Sequence, residues 1–272
     1  MRVLENPRSP RVRAVAKLTK RSARHETGLF LLEGPQSVRE ALTYRPEAIV
    51  ELFATPTAIE RHGDLRDLAS DVGLEIDYAT ESVLDAMADT VAPQGLVAVA
   101  RQFPVSIRDI FQASPRLIAV CEEVRDPGNL GTIIRAADAA GADAVVLTGR
   151  TVDPYNPKVV RATTGSLFHL PIALVGDLVT ALEMARGAGM QVLAADVKGT
   201  DLLTARDAGV LAAPTAWLFG NEARGLEDDA LALADRALRL PIYGRAESLN
   251  LATAASVCLY ESAFAQRSES RP

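Results

Sequence analysis

The chain has 272 residues, 48% hydrophobic and 24% charged. These are globular proportions that exclude a disordered, collagen-like or coiled-coil chain. No apolar stretch approaches the ~20 residues of a membrane-spanning helix, and two cysteines, Cys121 and Cys258, are too few for a disulfide framework or a metal cage. The net charge of −6 argues weakly against nucleic acid as a partner, but it hides an asymmetry: residues 1–45 carry 10 Lys+Arg against 4 Asp+Glu, and the remaining 227 carry 19 against 31.

The first segment, basic from Arg2 onward with no apolar block behind it, does not read as a secretory signal, and the expected location is the cytoplasm. Arg13, Lys17, Lys20 and Arg24 recur at i, i+4, i+7 and i+11, which on a helix is one charged face, with Val12, Val15 and Ala16 opposite. Such a face is either simply solvated or a phosphate-contacting stripe that gains affinity by counterion release. Residues 29–33, 49–54, 74–78 and 96–100 then read as strands, and 35–42, 65–72 and 81–88 as helices, which together predict a small α/β sandwich. Residues 101–116, with Pro104 and Pro115, read as a linker. A second alternation follows, with strands at 117–121, 144–148, 171–175, 191–195, 217–220 and 237–241. Helices are expected at 130–140, 158–167, 178–188 and 228–234, and a long closing helix at 249–264. These strands are near-continuous apolar runs, as in a parallel sheet covered on both faces. The polar tail from Gln266 is expected to fray. The expected domains are therefore 1–104 and 113–272.

A parallel α/β sheet suggests a nucleotide-like ligand at the carboxyl ends of its strands. Neither the dinucleotide fingerprint G-x-G-x-x-G nor the phosphate loop G-x-x-x-x-G-K-[ST] occurs, which argues against an NAD-dependent oxidoreductase and a P-loop nucleotidase. Three other clusters stand at strand ends. The first is Asp126-Pro127-Gly128-Asn129, followed six positions after Asn129 by Arg135; Asn129 is the expected helix cap. The second is Gly220-Asn221-Glu222-Ala223-Arg224-Gly225-Leu226, an apolar strand broken into a glycine-flanked acidic loop. The third runs from Leu240-Pro241-Ile242 to Ser248-Leu249-Asn250, with Ser248 as the expected cap of the closing helix and Asn250 in its first turn.

In this order the clusters resemble the motifs of the SpoU (TrmH-type) RNA 2′-O-ribose methyltransferases, within the SPOUT superfamily: N-x5-R-A-A, then [LF]-G-x-E-x-x-G-L, then [IL]-P-[IM]-x(4–6)-S-L-N. The resemblance covers residues 117–264. More loosely, Phe30-Leu31-Leu32-Glu33-Gly34 and the helix after it resemble the start of the small ribosomal-protein-like domain that binds substrate in many members. It implies an α/β fold, a C-terminal SPOUT domain with a parallel sheet and a deep trefoil knot, preceded by that small α/β sandwich. It also implies S-adenosylmethionine as cofactor, held by Gly220, Leu240, Ile242, Leu249 and Asn250, and a homodimer with the closing helix at its interface.

The implied reaction is methyl transfer to a ribose 2′-hydroxyl, with ribosomal RNA of the large subunit favoured as substrate and tRNA as the alternative. Arg135 matches the arginine that activates the hydroxyl, while Asn129, Glu222, Ser248 and Asn250 match the polar positions that hold the arginine and the sugar. A guanidinium does not give up its proton near neutral pH, so Arg135 is expected to orient the ribose and stabilise developing alkoxide charge. With an RNA substrate, Arg13, Lys17, Lys20 and Arg24 become the expected RNA-binding stripe. No metal is expected: His25, His62 and His169 lie in separate segments without ligand-spaced partners, and both cysteines read as packing residues. The competing class is a non-catalytic RNA-binding or ribosome-assembly protein that keeps the fold without the chemistry.

Overall fold

The fold is that of a computed structural model, which describes residues 3–91 and 93–268; Arg2 and the end of the tail, 269–272, lie outside them. The chain forms two compact units. Unit 1 comprises Met1–Phe103 and Asp153–His169, and unit 2 comprises Pro104–Val152 and Leu170–Pro272.

Unit 1 opens with α1 (Pro10–Ala16), a 3-10 turn at Lys17–Thr19, and α2 (Arg21–Thr27). The single charged face expected across this stretch is broken. The backbone at Lys20 is extended and restarts the helix in a new direction. Val12, Val15 and Leu18 are buried against Leu31, Phe53, Val83 and Val97, so the apolar stripe ties the segment to the sheet. Arg13, Lys17 and Lys20 are exposed, but Arg24 is buried. Its Nε donates to Asp153 Oδ2 at 2.8 Å, and its Nη1 donates to the carbonyls of Leu18 and Thr19, both at 2.9 Å. This corrects the expectation for Arg24, whose charge is spent inside the unit.

The sheet of unit 1 follows. It comprises β1 (Leu29–Glu33), α3 (Gly34–Tyr44), β2 (Ile49–Ala54), α4 (Pro56–Arg61), α5 (Gly63–Asp71), β3 (Ile76–Tyr78), α6 (Glu81–Met87) and β4 (Leu96–Arg101), with strand order β1-β4-β2-β3. β4 runs antiparallel to both β1 and β2, whereas β2 and β3 are parallel.

Unit 2 begins inside the expected linker, where Ser106 caps α7 (Ile107–Gln112) and Ile110 and Phe111 are buried. Then come β5 (Leu117–Glu122), α8 (Pro127–Ala140) and β6 (Ala144–Thr148). Residues 153–169, with α9 (Pro157–Thr163), group with unit 1. Unit 2 resumes with β7 (Ile172–Val175), α10 (Leu178–Gly187), β8 (Gln191–Asp201), α11 (Leu202–Asp207), β9 (Thr215–Phe219), α12 (Asp228–Ala232), β10 (Arg236–Arg239) and α13 (Leu251–Ser268).

All pairings in this sheet are parallel, in the order β10-β8-β9-β5-β6-β7. Every residue of β6 and β9 is buried, which is why these strands read as unbroken apolar runs. β9 lies between β5 and β8. The carboxyl ends of β5 and β9 are therefore neighbours, and the loops that leave them face each other. Gln266 does not fray: it sits in α13, and its amide donates to the carbonyls of Arg116 and Ala213 at 3.1 and 2.9 Å. No described helix is long and apolar enough to cross a membrane.

Candidate active site

The site is built from the loops after β5, β9 and β10. The β5 loop ends at Asp126, whose carboxylate accepts from the Asn129 N–H at 2.8 Å and caps α8. The cap is thus Asp126, not Asn129: the helix begins at Pro127, three positions early enough to put Asn129 in its first turn. That frees the Asn129 side chain. Its Oδ1 accepts from Asn250 Nδ2 at 2.9 Å. Asn250 Oδ1 in turn accepts from the N–H groups of Ala252 and Thr253, at 2.9 and 3.2 Å. Asn250, and not Ser248, caps α13, and one asparagine joins the starts of two helices 121 positions apart in sequence.

The β9 loop is held just as closely. At Gly220 a Cβ would lie 2.5 Å from the Gly225 carbonyl and 2.7 Å from the Leu226 nitrogen, so only glycine lets the loop close on itself. Asn221 and Gly225 exchange backbone hydrogen bonds of 3.0 and 2.8 Å across that closure. The Glu222 carboxylate accepts from the N–H groups of Arg125 and Asp126, the nearest contacts being 3.1 and 2.9 Å. Glu222 therefore fixes the turn that starts α8, and its charge is answered by backbone dipoles.

Asn221 stood only at the variable position of the second motif, yet it does comparable work. Its Nδ2 donates to the Glu123 carbonyl at 2.9 Å, and its Oδ1 accepts from Ala223 and Arg224 N–H at 3.0 and 3.2 Å. An asparagine after a glycine at a strand end is a turn residue by type, and that was the available signal.

Arg135 stands apart from this lattice. It is exposed, and its guanidinium makes no hydrogen bond or ion pair among the described residues. Six residues beyond Asn129 on α8, it is displaced by ~9 Å along the axis and by about a third of a turn. Ser248 is likewise exposed with no hydrogen-bond partner among the described residues. The structure thus brings Asn129, Glu222 and Asn250 together at the base of α8 and leaves Arg135 and Ser248 open.

The β10 loop has the chemistry of a cradle for a mixed polar and apolar ligand. From Leu240 to Leu249 no backbone N–H or carbonyl is hydrogen-bonded among the described residues. Ile242 and Leu249 are 37% and 40% exposed. Free main-chain donors and acceptors beside apolar side chains suit an adenosine, whose ring is flat and whose edges hydrogen-bond.

A separate cleft of about 590 Å³, lined by Glu122, Glu123, Arg125, Asn221 and Leu226 among others, adjoins the β9 loop but includes neither Arg135 nor the β10 loop. Burial pushes the Glu122 carboxyl above its ordinary range, against a hydrogen bond from Thr148. Burial also raises both cysteine thiols, Cys121 to about 12, which suits packing rather than nucleophilic chemistry. Among the described residues no group of His, Cys, Asp and Glu could hold a metal ion.

Residues 116–260 match the SpoU rRNA methylase family, and residues 31–105 match the RNA 2′-O ribose methyltransferase substrate-binding family. The chain belongs to the SpoU rRNA methylase family. Among its SpoU relatives is the 23S rRNA (guanosine(2553)-2′-O)-methyltransferase RlmP of Bacillus subtilis, 32% identical over 96% of this chain and 98% of that protein. The crystal structure of an AdoMet-bound rRNA methyltransferase from Sinorhizobium meliloti superposes with a TM-score of 0.84 at 33% identity, covering 100% of this chain and 99% of that one. The SpoU methyltransferase AviRb from Streptomyces viridochromogenes, in complex with the cofactor AdoMet, gives a TM-score of 0.81 at 29% identity, with 96% and 100% covered. Unit 2 is accordingly a SPOUT methyltransferase domain with a parallel sheet, and a small α/β domain of the SpoU substrate-binding type precedes it.

Proposed function

We propose that this chain transfers the methyl group of S-adenosylmethionine to a ribose 2′-hydroxyl of 23S ribosomal RNA. The observation that carries the reading is the unpaired Arg135 guanidinium on a helix whose first turn is locked by Asn250 and Glu222. The relatives with matching length and named substrates act on 23S rRNA, which favours that RNA over tRNA. Bound cofactor supplies an electrophilic methyl group. The β10 loop, through Leu240, Ile242 and Leu249, and the β9 loop at Gly220 would hold it by main-chain groups.

The ribose hydroxyl is a poor nucleophile at neutral pH. The Arg135 guanidinium donates hydrogen bonds to the developing alkoxide, lowering the barrier electrostatically, while the hydroxyl proton leaves to a substrate phosphate or to water. Asn129 and Asn250 keep the start of α8 fixed, so that Arg135 is aimed before the hydroxyl arrives. Ser248, open beside them, orients the sugar or the cofactor. In unit 1, Arg13, Lys17 and Lys20 contact RNA phosphates.

The protein works in the cytoplasm as a homodimer, a reading supported by the exposed apolar residues Val257, Tyr260 and Phe264 on α13. The experiment is methyl transfer to deproteinised 23S rRNA by the wild type and by Arg135→Ala. The variant is expected to bind S-adenosylmethionine normally and to lose on the order of 10²-fold or more in turnover, the scale of one preorganised donor at a developing oxyanion. Unchanged turnover would remove Arg135 from the mechanism.

A further inference from the structure

Ser37 is 5% exposed, and its hydroxyl has no hydrogen-bond partner among the described residues. It lines a cleft of about 210 Å³ in unit 1. No buried side-chain oxygen or nitrogen lacks both a partner and an outlet in the described residues, so the hydroxyl opens into that cleft. On a side chain otherwise enclosed, that hydroxyl is a directional group that a ligand can bond without displacing a protein partner.

The cleft lies at the start of α3, an 11-residue helix with no side-chain cap. The N–H groups of Gly34 and Gln36 therefore have no intrahelical acceptors. Across from them stands Gln94, exposed and without a side-chain hydrogen bond among the described residues. Its Oε1 lies 3.7 Å from the place a Cβ would occupy on Gly34.

Charge decides what the cleft can take. Glu33, beside the helix start, is buried and accepts from Thr90 Oγ1 at 2.6 Å, from the N–H groups of Thr90 and Asp89 at 3.0 and 3.1 Å, and from Arg161 Nη1 at 3.2 Å. Arg161 is shared with Asp89 at 3.0 Å. Its single positive charge is thus already matched by two carboxylates, and the helix dipole is answered by Glu33. A phosphate would meet no surplus cation here. What remains free is neutral and directional: two N–H donors, a hydroxyl that both donates and accepts, and an amide that presents a donor beside an acceptor. This set complements the edge of a nucleobase.

We infer that this cleft binds one unpaired base of the RNA substrate, with Ser37 and Gln94 reading its edge. Unpaired bases in loops and bulges are the parts of RNA whose edges side chains can reach. The inference rests on the RNA-methyltransferase reading above, and it gives unit 1 a means of choosing among RNAs that its basic stripe lacks.

The test uses the full-length protein, with fluorescent decamers of rA, rC and rU and a G-containing decamer as probes. S-adenosylmethionine binding and the melting temperature are measured in parallel. One decamer is expected to bind at least tenfold more tightly than the others. Ser37→Ala and Gln94→Gly should each weaken it by about five- to tenfold. Because Ser37→Ala deletes a hydroxyl that bonds to nothing in the protein, its melting temperature and cofactor affinity should not fall. Equal binding of the preferred decamer by wild type and Ser37→Ala would overturn the base site. Equal affinity for all decamers with displacement by inorganic phosphate would overturn it in favour of a phosphate site. A protein that binds its decamer through Ser37 but does not bind S-adenosylmethionine would keep the base site and contradict the methyltransferase reading.

Discussion

Asn250 shows how much one side chain can fix. It caps α13 with its oxygen and reaches Asn129 on α8 with its nitrogen. Its type and its place near a helix start were plain in the sequence. Its partner was not, because a pairing across 121 positions depends on β9 and β10 being threaded where they are. The cap assignments at Asn129 and Ser248 missed for a local reason: Asp126, Asn129, Ser248 and Asn250 are all good caps, and the backbone turn chooses among them.

Glu122 carries a prediction at the same scale. Burial raises its pKa in the folded state, with Glu123, Glu227 and Asp177 adding to the rise and Thr148 opposing it. The folded protein then holds this proton more tightly than the unfolded chain, so the stability tied to Glu122 falls as pH rises above the ordinary glutamate value near 4.3. Glu122→Gln should therefore raise the melting temperature at pH 7 and leave it nearly unchanged below about pH 4. A lower melting temperature at pH 7 would show that the charged form is stabilised instead.

At the scale of elements, long apolar runs were legible and short amphipathic pieces were not. β1, β2 and β6 begin and end where the pattern put them. The helices α4, α7 and α11 have six residues each, under two turns, so they show no periodicity to read. The charged face from Arg13 to Arg24 failed because periodicity assumes a continuous helix, and Lys20 interrupts it.

β8 ran on to Asp201, beyond the expected end at 195, because β10 pairs with it twice: Ala237 opposes Ala194, and Leu238 opposes Thr200. Between these pairings Gly199 passes so close that a Cβ would lie 2.4 Å from the Ala237 carbonyl carbon and 2.5 Å from the Leu238 nitrogen. Gly199→Ala must push β10 away. A loss of about 2–4 kcal/mol in a denaturant titration is expected, at the upper end for a single substitution. A stability equal to wild type would mean that β10 tolerates displacement.

For the whole molecule, the basic excess of the first 45 residues is only partly available. Arg11 is paired with Glu51 and Asp77, Arg24 with Asp153, and Arg39 with Asp64. Arg13, Lys17 and Lys20 are exposed and unpaired among the described residues. If these three contact phosphates, the combined Arg13→Gln, Lys17→Gln and Lys20→Gln protein should bind rRNA more weakly, and its log–log salt slope should be shallower by about 2–3. An unchanged slope would place the phosphate contacts elsewhere. The grouping of 153–169 with unit 1 was hidden from the sequence, since chain order alone assigns α9 to the sheet on either side of it.

Methyl transfer to a ribose hydroxyl leaves a chemical mark that transfer to a base does not. Labelled S-adenosylmethionine, incubated with the protein and deproteinised 23S rRNA, reveals that mark once the RNA is digested in alkali. Alkaline cleavage needs a free 2′-hydroxyl, so a methylated ribose protects its phosphodiester bond. Label is expected in alkali-resistant dinucleotides, and is expected to be lost in Arg135→Ala. Label recovered as mononucleotides would show base methylation and contradict transfer to the ribose.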